Sequence, residues 1–375
     1  MPAVAKFLKR QKAWIGAQRT NSKGLRLNGK YIIIESDDWG SIRTASKQAL
    51  QAFEKKGLDI ANSVFKNDAL ASNDDLDELF NLLQSIRDNK GNPLKITANT
   101  IMANPDFEKI KASGYKQFYF EDFRETLLKY PAHDKVFSKW QKAISEGLFM
   151  PQFHGREHLQ FKRWLKVLQS GNEDALFCFD YATTYSGKQD YSFMEAYDWD
   201  HPTDIEDQKK IVSEGLTMFE NTFGFLSKSF IAPCYNWDSR LEPALQSKGV
   251  KLLQGIRNQL QPTGSFDQYK TIPHYFGEKN KLGLTYNIRN CFFEPSQLPS
   301  KDWVDSCMAQ IHAAFMWQKP AVICSHRINY VGFINPQNRE RGLSDLKNLM
   351  KRVLVKWPEV QFISTDELEN LLPNN

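Results

Sequence analysis

The run Tyr31-Ile32-Ile33-Ile34 is uninterrupted by polar residues and ends abruptly in Glu35-Ser36-Asp37-Asp38-Trp39-Gly40. Without polar alternation it reads as a strand buried on both faces, the situation of parallel strands covered by helices. That feature points the chain toward α/β architectures, in which the chemistry sits at the carboxyl ends of the strands. Two adjacent carboxylates, an indole and a glycine are thereby delivered to a rim. The alternative is an acidic turn ahead of a helix, and other residues must decide between them.

The rest of the chain repeats the strand-then-helix alternation. Ala49, Leu50 and Phe53 lie at helical spacing ahead of Gly57, and Ser72 with Asp75 forms a capping-box pattern before a helix that Gly91 closes. A strand at Leu94–Ala98 follows, then a strand at Gln117–Phe120, a helix around Lys135–Ser145, a strand at Leu148–Phe153 and a helix at Leu159–Leu168. Ala175–Phe179 reads as a strand. Thr203 and Glu206 repeat the capping-box pattern, and the helix they start leads into a strand at Ser229–Ala232. Further helix and strand pairs fall at Leu241–Lys248 with Val250–Leu253, Trp303–Met316 with Ala321–Cys324, and Leu343–Val355 with Val360–Ile363; Leu284–Ile288 is an extra strand. Some eight buried strands alternating with helices predict a single α/β barrel domain, residues 25–375, preceded by a basic arm, residues 1–24. The polar, aromatic segment Tyr181–Pro202 and the segment Asn258–Lys281 read as long loops over one end of it.

Composition excludes several function classes. Forty-nine basic residues against 44 acidic ones leave +5 over 375 residues, too even a balance for a nucleic-acid surface. Five cysteines without paired spacing argue against a disulfide scaffold or a thiolate zinc site. Charges interrupt every apolar run of the arm, and no segment approaches the roughly 18 apolar residues of a membrane span. The expectation is a cytoplasmic protein with its arm packed as an ordinary helix; the alternative for the arm is contact with an anionic membrane surface.

His154-Gly155-Arg156-Glu157-His158 follows directly on the strand ending at Phe153 and sets two imidazoles four residues apart. On a helix or tight turn those rings face the same way. With one carboxylate from the Asp37-Asp38 strand end they make three protein ligands for a divalent metal, leaving a position for water, as in a catalytic rather than a structural site. A third strand end, Ala321-Val322-Ile323-Cys324-Ser325-His326, brings another imidazole to the same rim.

These motifs resemble those of the polysaccharide deacetylases, carbohydrate esterase family 4 or the nodulation-deacetylase homology group. Glu35-Ser36-Asp37-Asp38-Trp39-Gly40 looks like the family's Thr-Phe-Asp-Asp-Gly element with Trp inserted, and His154-Gly155-Arg156-Glu157-His158 like its His-(Ser/Thr)-x-x-His. Ile231-Ala232-Pro233 stands where the family has Arg-x-Pro, and Ile323-Cys324-Ser325-His326 resembles its final Leu-x-x-His. The motifs occur in family order over most of the chain. The resemblance implies a distorted, incomplete (β/α) barrel, with Asp37 as general base, Asp38, His154 and His158 as metal ligands, and His326 as general acid. It implies a metal-dependent hydrolase that removes an N- or O-linked acetyl group from a sugar or polysaccharide through a metal-bound water.

Zinc is the first expectation for two imidazoles and a carboxylate, although other transition metals accept the same set. Trp39, Tyr235 and Trp237 are expected to stack on a carbohydrate substrate, with Arg156 and Arg327 as further substrate contacts. Ile231 cannot supply the charge that the family arginine gives the base, so Arg43, Arg156, Arg289 or Arg327 is expected to replace it, with Arg327 favoured. Two rivals stand beside this reading: a glycoside hydrolase in which Glu35 or Glu157 joins Asp37, and a non-catalytic carbohydrate-binding protein.

Overall fold

The computed structural model describes residues 11, 14–60, 63–185 and 193–373. The remainder of the arm and the middle of the Tyr181–Pro202 loop lie outside the described residues. Among the described residues one nine-stranded sheet dominates, formed by β1 (Tyr31–Trp39), β2 (Ile96–Ile101), β3 (Phe149–Gly155), β4 (Ser229–Ile231), β5 (Leu252–Gly255), β6 (Thr285–Ile288), β7 (Cys291–Phe292), β8 (Ala321–His326) and β9 (Gln361–Phe362). Its spatial order is β6-β5-β4-β3-β2-β1-β8-β7, with β9 beside the start of β1, and every pairing is parallel.

Sequential parallel neighbours joined by helical crossovers give a distorted, incomplete (β/α) barrel. It closes in an unusual way. β6 and β7 are separated only by Arg289 and Asn290, and they are the two edges of the sheet. The Arg289 N–H still donates to Gly255 O on β5, whereas the Asn290 N–H donates to Val322 O on β8. One stretch of chain thus changes backbone partner between adjacent residues and spans the seam. Leu284–Ile288, taken from sequence as an extra strand, is therefore part of the barrel wall.

Helices cover the outside, and the apolar residues of strands and helices merge into one large core. The interior also carries polar side chains: Asn99 and Gln254 exchange hydrogen bonds, Gln254 donates to Ser229, and Ser229 donates to Gln152. These residues repeat the period-2 logic of a strand, one face to the helices and the other to the barrel axis.

Several local readings change; among them, the helix expected to run to Gly91 ends at Ser85, and Thr203 itself has helical φ/ψ and makes no side-chain cap bond. Ala175–Phe179 is helical, within Glu173–Asp180: the Asn172 side chain accepts the Ala175 N–H, acids fill the first turn, and Ala175, Cys178 and Phe179 are buried at helical spacing. The apolar run was too short to show its period. The strand near Gln117–Phe120 is Phe120–Asp122, antiparallel to Ala103–Pro105 and outside the barrel. The segment Asn258–Lys281 contains an antiparallel hairpin, Asn258–Pro262 with Tyr269–Pro273.

Candidate active site

Adjacent residues on a regular strand point to opposite faces, so Asp37 and Asp38 cannot both reach one site without a local break. β1 supplies it. Between Ser36 and Trp39 its register with β2 shifts, and Asp38 adopts φ +71°, a left-handed conformation that Asp tolerates better than most residues. Gly40 follows at φ +83°, where an added Cβ would lie 2.5 Å from Ile101 O. The β2–β3 register shifts likewise between Thr100 and Ile101, next to His154, and Gly155 takes φ +146°. That backbone suits glycine.

The two irregularities bring one oxygen of Asp38 to two imidazoles. Asp38 Oδ1 lies 3.4 Å from His154 Nε2 and 3.3 Å from His158 Nε2. His154 is fixed by its other nitrogen, Nδ1, which lies 2.9 Å from the Ile231 carbonyl. Ile231 therefore serves the site through its backbone. His158 Nδ1 is buried with no hydrogen-bond partner. Burial, then the nearby Arg43 charge, push the His158 pKa well below normal, so the ring is neutral and its lone pair is free to ligate. Burial opposes ionisation of Asp38, but Arg43 and the two imidazoles outweigh it and hold the carboxyl low.

The set fits a metal. Ligands on bonds of about 2.0–2.1 Å in a tetrahedral shell lie about 3.3–3.4 Å apart, which is the spacing of Asp38 Oδ1 from each imidazole and longer than the usual N–H···O bond. Asp38, His154 and His158 form one of two such clusters among the described residues; the other is Glu294, Cys324 and His326.

Asp37 sits in a different field. Arg289 forks onto it, Nη1 to Oδ2 at 2.6 Å and Nη2 to Oδ1 at 2.7 Å, while Asn99 donates to Oδ1 at 2.7 Å. Arg289 Nε reaches Glu35 at 2.7 Å, so one buried guanidinium bridges two carboxylates. Burial disfavours the Asp37 charge, yet the guanidinium dominates and lowers its pKa to about 2. Its neighbour across the β1–β8 register is His326, whose Nε2 is 3.8 Å from Asp37 Oδ2. His326 Nδ1 lies 2.7 Å from Glu294 Oε1; burial works against the imidazolium, but Glu294 lifts its pKa to about 10.

The guanidinium on Asp37 therefore comes from Arg289 and not from Arg327, which donates to Ser41 O and Asp68 and is fully buried. Arg43 pairs with Asp38 and Asp68, and Arg156 forks onto Glu157 and reaches Glu214 under the Phe120 ring. Neither Arg156 nor Arg327 presents donors to the cluster. Of the aromatic residues, Tyr235 stays at the site, its hydroxyl 3.2 Å from Arg289 Nη1 and 3.3 Å from Cys324 Sγ. Trp39 does not: it is fully buried against Trp140 and Phe149, with its indole N–H on Ser36. Trp237 is buried too and donates to Glu242. Glu294 and Asn99 were missed from sequence. Glu294 follows the end of β7 and obeys the same strand-end rule that singled out Asp37.

No family model matches the chain, and no curated protein matches it. Solved structures similar to it include a 4-α-glucanotransferase from Thermococcus litoralis, 8% identical over 92% of this chain and 40% of that one, with a TM-score of 0.46. A putative polysaccharide deacetylase from Mycobacterium smegmatis is 11% identical over 94% of this chain and 97% of that one, TM-score 0.41. A CE4 family pseudoenzyme from Bacillus anthracis is 8% identical over 92% and 66%, TM-score 0.38. This chain thus spans less than half the length of the glucanotransferase.

Proposed function

We propose that the chain is a metal-dependent hydrolase that removes an acetyl group, N- or O-linked, from a sugar or glycan. The observation that carries the reading is the juxtaposition of three clustered ligand atoms, from Asp38, His154 and His158, with an ionised carboxylate and a protonated imidazole. Asp38, His154 and His158 would hold the ion, with zinc the expected occupant of that donor set. When bound, it supplies Lewis acidity to a water and to the acyl oxygen.

Asp37, with its pKa near 2, is ionised throughout the neutral range and is positioned to accept a proton from a donor acidified beside it. His326, with its pKa near 10, carries a proton over the same range and is positioned to give it to the departing amine or alkoxide. The two groups are pushed apart by opposite partners, Arg289 for the acid residue and Glu294 for the imidazole. Tyr235, whose hydroxyl lies beside Arg289, is the aromatic residue this reading assigns to a sugar face.

The rival readings weaken on specific contacts. Glu35 is fully buried on Arg289, Asn287 and Thr365, and Glu157 is held by Arg156, so neither stands free opposite Asp37 as a second glycosidase carboxylate. The non-catalytic reading drew on the loss of the family arginine, and Arg289 supplies that charge from the connection between β6 and β7.

The test combines metal analysis with acetate release on a panel of acetylated sugars. Wild type is expected to bind one divalent ion and release acetate without new reducing ends. His154→Ala and Asp38→Asn are expected to lose the ion, whereas Asp37→Asn keeps it and loses turnover. Unchanged metal content in His154→Ala, or new reducing ends in place of acetate, would reject the proposal.

A further inference from the structure

Arg43 lies in the turn that follows β1 and is 1% exposed. Its guanidinium touches two of the three proposed ligands. Nη2 lies 3.2 Å from Asp38 Oδ1, the same oxygen that both imidazoles face, and Nη1 lies 3.4 Å from the His158 carbonyl. The remaining nitrogen behaves differently: Nε is buried and donates to nothing, although Asp68 Oδ2 stands 3.7 Å away. Asp68 is buried as well and holds Arg327 through its other oxygen, Oδ1, at 2.5 Å.

A guanidinium on the ligating oxygen is an unusual neighbour for a metal ligand. Outer partners ordinarily raise the basicity of the ligands they touch, whereas a cation within 3.2 Å of Oδ1 competes for the lone pairs that an ion would use. It also repels a divalent ion, and burial leaves that repulsion largely unscreened. The local charges lead to the same place. Arg43 and Arg327 are balanced by Asp38 and Asp68, so an ion on Asp38 leaves Asp68 to answer both guanidinia.

We propose that Arg43 is a movable counter-cation of the metal centre, neutralising Asp38 when no ion is bound and passing to Asp68 when one is. The inference rests on the ion site proposed above and adds the residue that sets how tightly the ion is held. The move is short: closing the Nε–Asp68 gap from 3.7 Å to a hydrogen bond of about 2.9 Å takes less than about 1 Å, and it gives the orphaned Nε a partner. Two properties result. Asp38 stays oriented toward the imidazoles in the metal-free protein, and the ion is held more loosely than its three ligands alone would hold it, so occupancy follows the supply of metal.

The experiment is a competition between the full chain and a chromogenic chelator for zinc, with melting of the stripped protein alongside. Arg43→Gln removes the charge and keeps an amide beside Asp38; it is expected to bind zinc about 10–100-fold more tightly than wild type and, stripped, to melt below it. Arg43→Lys keeps the charge and should stay nearer to wild type. Asp68→Asn takes away the alternative partner and is expected to weaken binding by a similar factor, an effect that should vanish when it is combined with Arg43→Gln. A merely structural role would weaken binding in every variant and would persist in the double one. Zinc held no more tightly by Arg43→Gln than by wild type, or an Asp68→Asn loss undiminished in the double variant, would overturn the proposal; if Arg43→Gln does not fold, the uncharged Arg43→Met takes its place. Failure of wild type to bind any ion would instead remove the metal site itself, and this inference with it.

Discussion

Replacing Arg289 by Met removes the guanidinium that bridges Glu35 and Asp37 and leaves both carboxylates in the interior, where they are 0% and 4% exposed. In the wild type Asp37 is depressed from 3.8 to about 2, which amounts to about 2 kcal/mol of stability. The sign follows from the depression: this contribution is present above 3.8 and is lost as the pH falls through about 2. In the variant the direction reverses. Without the cation, burial raises the Asp37 pKa, and keeping the group neutral at pH 7 costs about 4 kcal/mol at 1.36 kcal/mol per unit. Breaking a buried pair by removing one partner costs about 3–5 kcal/mol in general, and the expected loss at pH 7 is about 5 kcal/mol. That loss should shrink toward pH 4, where neutralisation is nearly free. Arg289→Lys keeps the charge without the fork and should fall between the two. The assay is urea unfolding between pH 4 and pH 8 with a chelator present, so that metal binding does not enter the balance. A loss below about 1 kcal/mol, or the same loss at both ends of the range, would refute the reasoning.

Two further substitutions probe the partners of the site. Glu294→Gln removes the carboxylate that holds His326 protonated; the stability the wild type draws from this pair is complete below 6.5 and lost as the pH rises through about 10. In the variant the imidazole should titrate at or below 6.5, read by histidine NMR and by the basic limb of acetate release; titration still near 10 would show that Glu294 is not the cause. Trp39→Phe deletes a fully buried indole and its 3.0 Å bond to Ser36, with an expected loss of about 1.5–3 kcal/mol and no change in KM for the sugar. A raised KM at unchanged stability would return Trp39 to the substrate-facing rim.

The sequence alone determined where chemistry can sit. An apolar run such as Tyr31–Ile34 has nowhere to go but a covered parallel strand, and the polar residues that end it are exposed to the rim by the chain's direction, whatever the rest does. The same rule picked out His154 and His326, and the four-residue spacing added His158, so each needs only local information to be found. What it left undecided were the partners. Arg289 acts on an acid 252 residues away, and nothing local distinguishes it from Arg327, which follows an equally apolar strand. The choice depends on the seam between β6 and β7, where the chain changes backbone partner within one residue, and on register across the barrel. Burial is likewise a property of the assembled layers: Trp39 lies on the same strand end as Asp38, yet the bulge that turns Asp38 inward leaves Trp39 packed against Trp140 beneath the helices. Positions along the strands followed from periodicity, whereas pairings and directions followed from tertiary geometry, since a one-residue change of register or a single left-handed residue sends a side chain to the opposite face.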